Sequence, residues 1–351
     1  MVNSVKEENK IIIFCQAPAD IPYVLSLYEK HKEKKVISVY VINVENVFIF
    51  IKGLNLNLHA LVFIPYALTS FKNIFEIIKE RQRIKALTKQ YFNFVINTDI
   101  YFFSRFEDWL TASFLNVLEK KNSIFYIDHY DNSAILFSKK EKTIKVKIYG
   151  FILKYLTAVS FKLEIVEKLP EFPINRYRIN RERVILNSDV FVKYSHSVKI
   201  PFEHKSNVLF FISECENTIF DSNFYNEKLK SIVTDLKTIG FNVVVKGHPR
   251  IGMPDSIKVL SDYELPSYVP AEFINIESFK FCLGLDTNAI CYFAASKKIP
   301  TYSLIRMFPS IDINMIEILI NFLKNQSDNE IIFIDNEEHF CSVMKNNFND
   351  E

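Results

Sequence analysis

The sequence predicts an α/β protein of two domains, each built on a parallel sheet. Three observations carry that prediction. Short apolar runs alternate with longer helical patterns along the chain, the order that parallel strands need because each crossover is made by a helix. The pattern loses regularity between about Lys139 and Lys205, where Pro170, Pro173 and Pro201 punctuate it, and then restarts. The 351 residues, 49% of them hydrophobic, are too many for one core and enough for two.

In the first half, Lys10–Cys15, Val36–Ile42, Leu61–Ile64, Phe92–Asn97 and Ser123–Ile127 read as strands, being short runs rich in β-branched and aromatic residues. Ile21–Lys32, the stretch near Phe71–Lys89 and Arg105–Lys120 read as helices from their apolar spacing. The second half repeats the alternation. Asn207–Ile212, Phe241–Lys246, Phe279–Leu285, Thr301–Leu304 and Ile331–Ile334 are its strands. Asn226–Ile239, closed by Gly240, Ala271–Ile276, Ala289–Ser296, Ile311–Lys324 and Glu337–Lys345 are its helices. The division is placed at residues 1–200 and 201–351.

A net charge of +2 argues against a general nucleic-acid binder. The charge is uneven, however. Residues 139–205 are rich in Lys and Arg, and read either as a solvated face or as a surface for anionic headgroups or an anionic glycan. The five cysteines are widely spaced, mostly in apolar runs, and fit a reducing cytoplasm better than a zinc site. Met1–Lys10 is polar, without the hydrophobic stretch of a signal peptide, and no apolar run is long enough to span a bilayer. Ile148–Phe161, broken by Lys154, reads as a buried helix or one lying on a membrane surface.

Open parallel sheets bind ligands at the carboxyl ends of their strands, so polar residues at those points are the candidates. Lys246-Gly247-His248-Pro249-Arg250 follows a buried strand with three basic side chains. Gly247, one of six glycines, suggests close ligand approach, and Pro249 restricts His248 to extended backbone. A histidine so held can donate to a phosphate oxygen or protonate a leaving group; the bland reading is a surface turn. Asp286-Thr287-Asn288 joins a strand to a helix whose N-terminus favours an anion, or simply needs a cap. Asp128-His129-Tyr130-Asp131 ends the last clear strand of the first half. It reads as a polar loop or as the source of a general base. Ser213 ends the first strand of the second half.

Together these residues resemble the bacterial sialyltransferases of GT-B type. The likeness is strongest to the lipooligosaccharide sialyltransferases of glycosyltransferase family 52 and the related polysialyltransferases. It rests on Lys246-Gly247-His248-Pro249, on Pro270-Ala271-Glu272 some twenty residues on, and on Thr287-Asn288 where the family places a Ser-Ser/Thr pair. The resemblance implies two Rossmann-like domains whose parallel sheets face a central cleft. Residues 1–200 would take the acceptor and 201–351 a CMP-sugar. It implies inverting, metal-independent transfer of sialic acid from CMP-sialic acid to a lipooligosaccharide or capsular glycan, by an enzyme in the cytoplasm or on the inner face of the inner membrane. His248 is then the general acid or electrostatic stabiliser for the leaving phosphate. Glu272 binds the ribose hydroxyls, and Thr287 and Asn288 bind the phosphate. Lys246, Gly247, Pro249, Arg250 and Ser213 complete the donor site. Asp128 is the base, with Asp131 its rival. No cofactor is implied, and the partners are a CMP-sugar and a glycan, with residues 139–205 as the membrane contact.

Two departures stand out. Asp128-His129-Tyr130 lacks the family's second acid and glycine, and Asp286-Thr287-Asn288 keeps one hydroxyl of two. They leave room for another CMP- or CDP-linked donor such as CMP-Kdo, or for a degenerate protein that binds nucleotide or glycan without turnover.

Overall fold

The computed structural model describes residues 10–66, 73–103, 109–127, 148, 151–152, 154–156, 179–182, 184, 187, 189–195, 201, 206–215, 220–249, 251–296, 299–309 and 313–349. The chain divides into two compact units, Met1–Asn187 and Ser188–Glu351.

In the first unit, β1 (Lys10–Cys15), β2 (Val36–Ile42), β3 (Ala60–Ile64), β4 (Thr98–Phe102), β5 (Ser123–Ile127) and β6 (Ile179–Glu182) form a parallel sheet ordered β3-β2-β1-β4-β5-β6. Its helices are α1 (Ile21–His31), α2 (Glu45–Gly53), α3 (Ile74–Phe92) and α4 (Trp109–Leu118). Central β1 buries five of its six residues, as a strand covered on both faces must. Phe14 packs edge-on against Phe92 of α3, and Phe92 lies 4.6 Å from Phe114 of α4, so one aromatic cluster joins sheet and helices.

The second unit repeats this plan. β7 (Asn207–Ile212), β8 (Asn242–Gly247), β9 (Tyr263–Leu265), β10 (Phe281–Gly284), β11 (Thr301–Ser303) and β12 (Ile332–Phe333) are parallel in the order β12-β11-β10-β7-β8-β9. Counted within each half, both sheets run 3-2-1-4-5-6, the doubly wound order of a Rossmann sheet. The sequence shows no repeat, yet the topology occurs twice. The helices are α5 (Asp189–Ser195), α6 (Ser222–Ile239), α7 (Asp255–Leu260), α8 (Asn288–Ser296), α9 (Ile313–Gln326) and α10 (Glu337–Asn349). Asp221 caps α6 through the Phe224 N–H, and Gly240, at φ 113°, ends it in the left-handed region, where glycine is unstrained.

Several sequence expectations shift. The fourth strand is Thr98–Phe102, and not Phe92–Asn97. Ile77, Ile84, Thr88 and Phe92 share the buried face of α3, so the helix carries through Phe92, and the chain turns at Asn97 with φ 51°. The helix expected over 271–276 is two short 3-10 turns, Ala271–Phe273 and Ile276–Ser278. α2, β6, α5, α7 and β9 had no sequence counterpart. The unit boundary lies ahead of the expected 200/201, because Phe191 of α5 packs on Phe273 and Tyr292 of the second unit. The segment from Ile148 is neither wholly buried nor wholly superficial. Leu156 is buried and Ile152 and Tyr155 pack on the core, while Ile148 and Phe151 are exposed. Cys15, Cys282 and Cys291 are buried, as their apolar runs require, and none of the five cysteines is in a disulfide.

Candidate functional site

In each sheet the strand order reverses between the first and fourth strands, and ligands in such folds bind beyond the carboxyl ends there. In the second unit those strands are β7 and β10, with β8 beside β7. Ile212 of β7 pairs with Gly247 of β8, and the His248 N–H donates to the Ile212 carbonyl at 3.0 Å. Leu283 pairs with Phe210, so two residues further Leu285 is level with Ile212. His248, Ser213 and Asp286 therefore leave the sheet at one level. β8 and β10 are two strand spacings apart, roughly 10 Å.

The turn after β8 is a closed loop. His248 and Gly252 exchange backbone hydrogen bonds of 3.2 and 2.9 Å, and the Glu214 N–H beyond β7 donates to the Gly252 carbonyl. Gly252, at φ 77°, supplies the left-handed residue this loop needs. Gly247 does not: it is extended, and a Cβ there would meet Met253 at an ordinary 3.4 Å. The backbone demand inferred at Gly247 thus belongs five residues on. His248 is half-buried, and its Nδ1 accepts the Ile251 N–H at 3.3 Å. An Nδ1 that accepts carries no proton, so this contact favours the tautomer with the proton on Nε2, an imidazole that donates. Pro249 is half-buried beside it, and Arg250 lies outside the described residues.

Lys246 is 4% exposed, and its ammonium donates to the carbonyls of Ser267 at 3.1 Å and Gly247 at 3.3 Å. Burial pulls its pKa down to about 8, against the opposing pull of Glu272 and Glu264. Glu272, on the 3-10 turn after Pro270, has its carboxyl pKa pushed up by burial; its own backbone N–H and Lys246 oppose the shift. The same carboxylate helps raise the Tyr292 phenol, after burial. Glu272 thus lies within electrostatic reach of both β8 and α8.

Thr287 precedes α8, and its Oγ1 accepts the Ala289 N–H at 3.3 Å, the geometry of an N-cap. Its hydroxyl proton stays available to donate. Asn288 is exposed at the first helical position. The Asp286 charge acts on Tyr225, whose hydroxyl donates to the Ser213 carbonyl at 3.0 Å. Burial is the main reason the Tyr225 pKa is raised.

The second unit therefore gathers Lys246, Gly247, His248, Pro249, Glu272, Thr287, Asn288 and Ser213 at one edge of one sheet. Sequence reasoning missed Tyr292 and Phe191. Tyr292 sits about one turn beyond Thr287 and was legible as such; Phe191 lies on a helix with no marked sequence signal. In the first unit the matching point beyond β1 holds Gln16, whose Nε2 donates to Thr111 Oγ1 at 2.8 Å. The fully buried Asp20 carboxylate pins that turn by accepting from the Gln16 and Ala17 N–H groups. Asp128 and Asp131 lie outside the described residues, as does most of 139–205.

The lysine at 246 has a measurable pH signature. The unfolded chain releases this proton near the ordinary lysine value of 10.5 and the folded chain near 8, so between those values the unfolded state binds more protons. Stability must then rise with pH across that window, as the cost of burying the ammonium is relieved. Denaturation at pH 7.5 and 10 should show wild type gaining relative to Lys246→Met; parallel changes in both would show that Lys246 does not titrate this way.

No family model matches the sequence, and no curated protein matches it. Similarity to solved structures spans nearly the whole chain at low identity. The glycosyltransferase of kitacinnamycin is 10% identical, over 98% of this chain and 91% of its own, with a TM-score of 0.51. A UDP-glucose:anthocyanidin 3-O-glucosyltransferase in complex with UDP is 11% identical over 99% and 91%, with a TM-score of 0.47. A sialyltransferase from Photobacterium damsela is 12% identical over 93% and 81%, with a TM-score of 0.44. At such identities likeness speaks to architecture, and the architecture is GT-B, two Rossmann-like units with parallel sheets.

Proposed function

We propose that the chain is a glycosyltransferase that takes its sugar from a nucleotide, and that the donor is CMP-sialic acid. One observation supports the reading: the turns that carry His248 and Thr287 follow strands on either side of β7, at the strand-order reversal, with Glu272 in electrostatic reach of both. His248 follows β8, Thr287 caps α8 level with it, and the Glu272 carboxylate acts on residues of both β8 and α8.

In this reading the acceptor hydroxyl attacks the anomeric carbon as its bond to the phosphate oxygen breaks. The hydroxyl proton passes to a carboxylate, Asp128 or its rival Asp131, and CMP departs with the bonding pair. Negative charge grows on the phosphate, where the Nε2–H of His248, the Thr287 hydroxyl and the N-terminus of α8 donate to it. The Nδ1 contact with Ile251 supports His248 as electrostatic stabiliser over general acid, since neutral imidazole is a poor acid. These donors take the place of a divalent metal. Lys246 keeps a positive charge beneath the site, and Glu272 receives the ribose hydroxyls. The acceptor is a cell-surface glycan, bound by the first unit.

The test is nucleotide release from CMP-sialic acid, CMP-Kdo, CDP-glycerol and UDP-glucose, measured separately without added metal and then with a chelator. CMP-sialic acid should be cleaved fastest, unaffected by chelation. Faster turnover of another donor reassigns the sugar, and calorimetric binding of CMP without any cleavage makes the protein a nucleotide binder.

A further inference from the structure

The outward face of α3 leaves large apolar side chains exposed. Ile74 is 60% exposed and Phe75 77%, and Ile78 is also exposed. At 100° per residue these three share an arc of about 140° with Lys79, Lys85 and Lys89, all exposed, and no acidic residue falls within it. The acids of α3 face elsewhere and are held locally. Glu80 is buried and bound by Tyr66 and Arg83, and the Glu76 carboxylate accepts from the side-chain amide of Asn73, whose Oδ1 takes the Glu76 N–H. None of the three lysines is ion-paired among the described residues. The surface continues sideways. Arg81, at the margin of the arc, lies 4.3 Å from the Tyr155 ring, and the helical residues around Tyr155 expose Phe151, at 73%, Ile148 and Lys154.

Large side chains left in water at this density mark a contact surface. Their chemistry selects the partner. An apolar first turn followed by unpaired lysines on the same face matches the boundary of an anionic bilayer, where side chains enter the acyl region and lysines meet headgroup phosphates. We propose that α3 and the helical residues beside it form a peripheral membrane contact that prefers anionic phospholipid. No helix among the described residues is long and apolar enough to cross a membrane, so this contact would be reversible. It does not rest on which sugar nucleotide the second unit takes.

Sedimentation of the full chain with vesicles decides the matter, using pure phosphatidylcholine and phosphatidylcholine enriched in phosphatidylglycerol. Wild type should pellet with the anionic vesicles and stay in the supernatant with the neutral ones. Ile74→Ser with Phe75→Ser should weaken partitioning about tenfold or more. Lys79→Glu with Lys85→Glu and Lys89→Glu should weaken it by roughly fivefold per lysine, and added salt should abolish the rest. Both variants change exposed groups, and thermal melts confirm that they fold. Wild type that ignores anionic vesicles, or either folded variant binding as wild type does, overturns the proposal. So does a wild-type dimer in sedimentation velocity that Ile74→Ser with Phe75→Ser converts to monomer, because the face then belongs to a second copy.

Discussion

Replacing His248 with alanine is expected to lower nucleotide release from the donor by about a hundredfold or more, with the melting temperature nearly unchanged. The loop should survive because its closure is backbone: the bonds of His248 to Ile212 and Gly252 and of Glu214 to Gly252 need no imidazole. What disappears is an oriented donor, worth roughly 3 kcal/mol where charge develops in the transition state. Glutamine separates the two chemical roles. Its side-chain amide places an N–H near the position of Nε2 but carries no transferable proton. His248→Gln should therefore recover part of kcat if the residue stabilises charge, and none if it protonates the leaving group. Near-normal turnover in the alanine variant removes His248 from the mechanism.

Gly284→Ala is the second large effect. A Cβ at Gly284 would stand 2.6 Å from Ile290 Cγ2 and 3.2 Å from Thr287 Cγ2. Ile290 is fully buried and β-branched, so it has little rotamer freedom to yield. The first turn of α8 must move instead, and Thr287 with it. Overpacking of this kind costs about 1–3 kcal/mol. Urea denaturation should report that loss, and calorimetry should report weaker nucleotide binding. Gly53→Ala is the control, because no atom lies within 4 Å of a Cβ there. Alanine at that helical position should be neutral or slightly stabilising. Equal behaviour of the two variants would show that the close contact at Gly284 is easily relieved.

How much of this was legible in the sequence depended on burial. β1, β7 and β8 are covered on both faces, so they read as unbroken apolar runs. Each ends where polar residues begin, which placed His248 and Ser213 at strand ends without coordinates. Where the local signal conflicts with tertiary context, the reading failed. Phe92 and Val95 resemble strand residues, but Phe92 completes the apolar face of α3 and packs on Phe114. Edge strand β6 (Ile179–Glu182) is polar and reads as loop, because only one neighbour pairs with it. α2 contains Val47-Phe48-Ile49-Phe50-Ile51, strand-like by propensity yet helical. Glu272 is singled out only by the resemblance, through Pro270-Ala271-Glu272. Its coupling to Lys246 and Tyr292 arises from a fold that returns three separate segments to one edge.

The doubled strand order also governs how the chain is made. β1 emerges first in its half and β7 first in its own, yet each becomes the centre of a sheet. β1 waits for β4, which begins at Thr98, and β7 waits for β10, which begins at Phe281. Until then each apolar strand has one flank open, during the interval when a nascent chain is most prone to associate with others. Long-range parallel pairing slows folding further. Slowing translation only after β4 (ending at Phe102) or β10 (ending at Gly284) has left the ribosome should accordingly raise soluble yield more than slowing it at the start of either half.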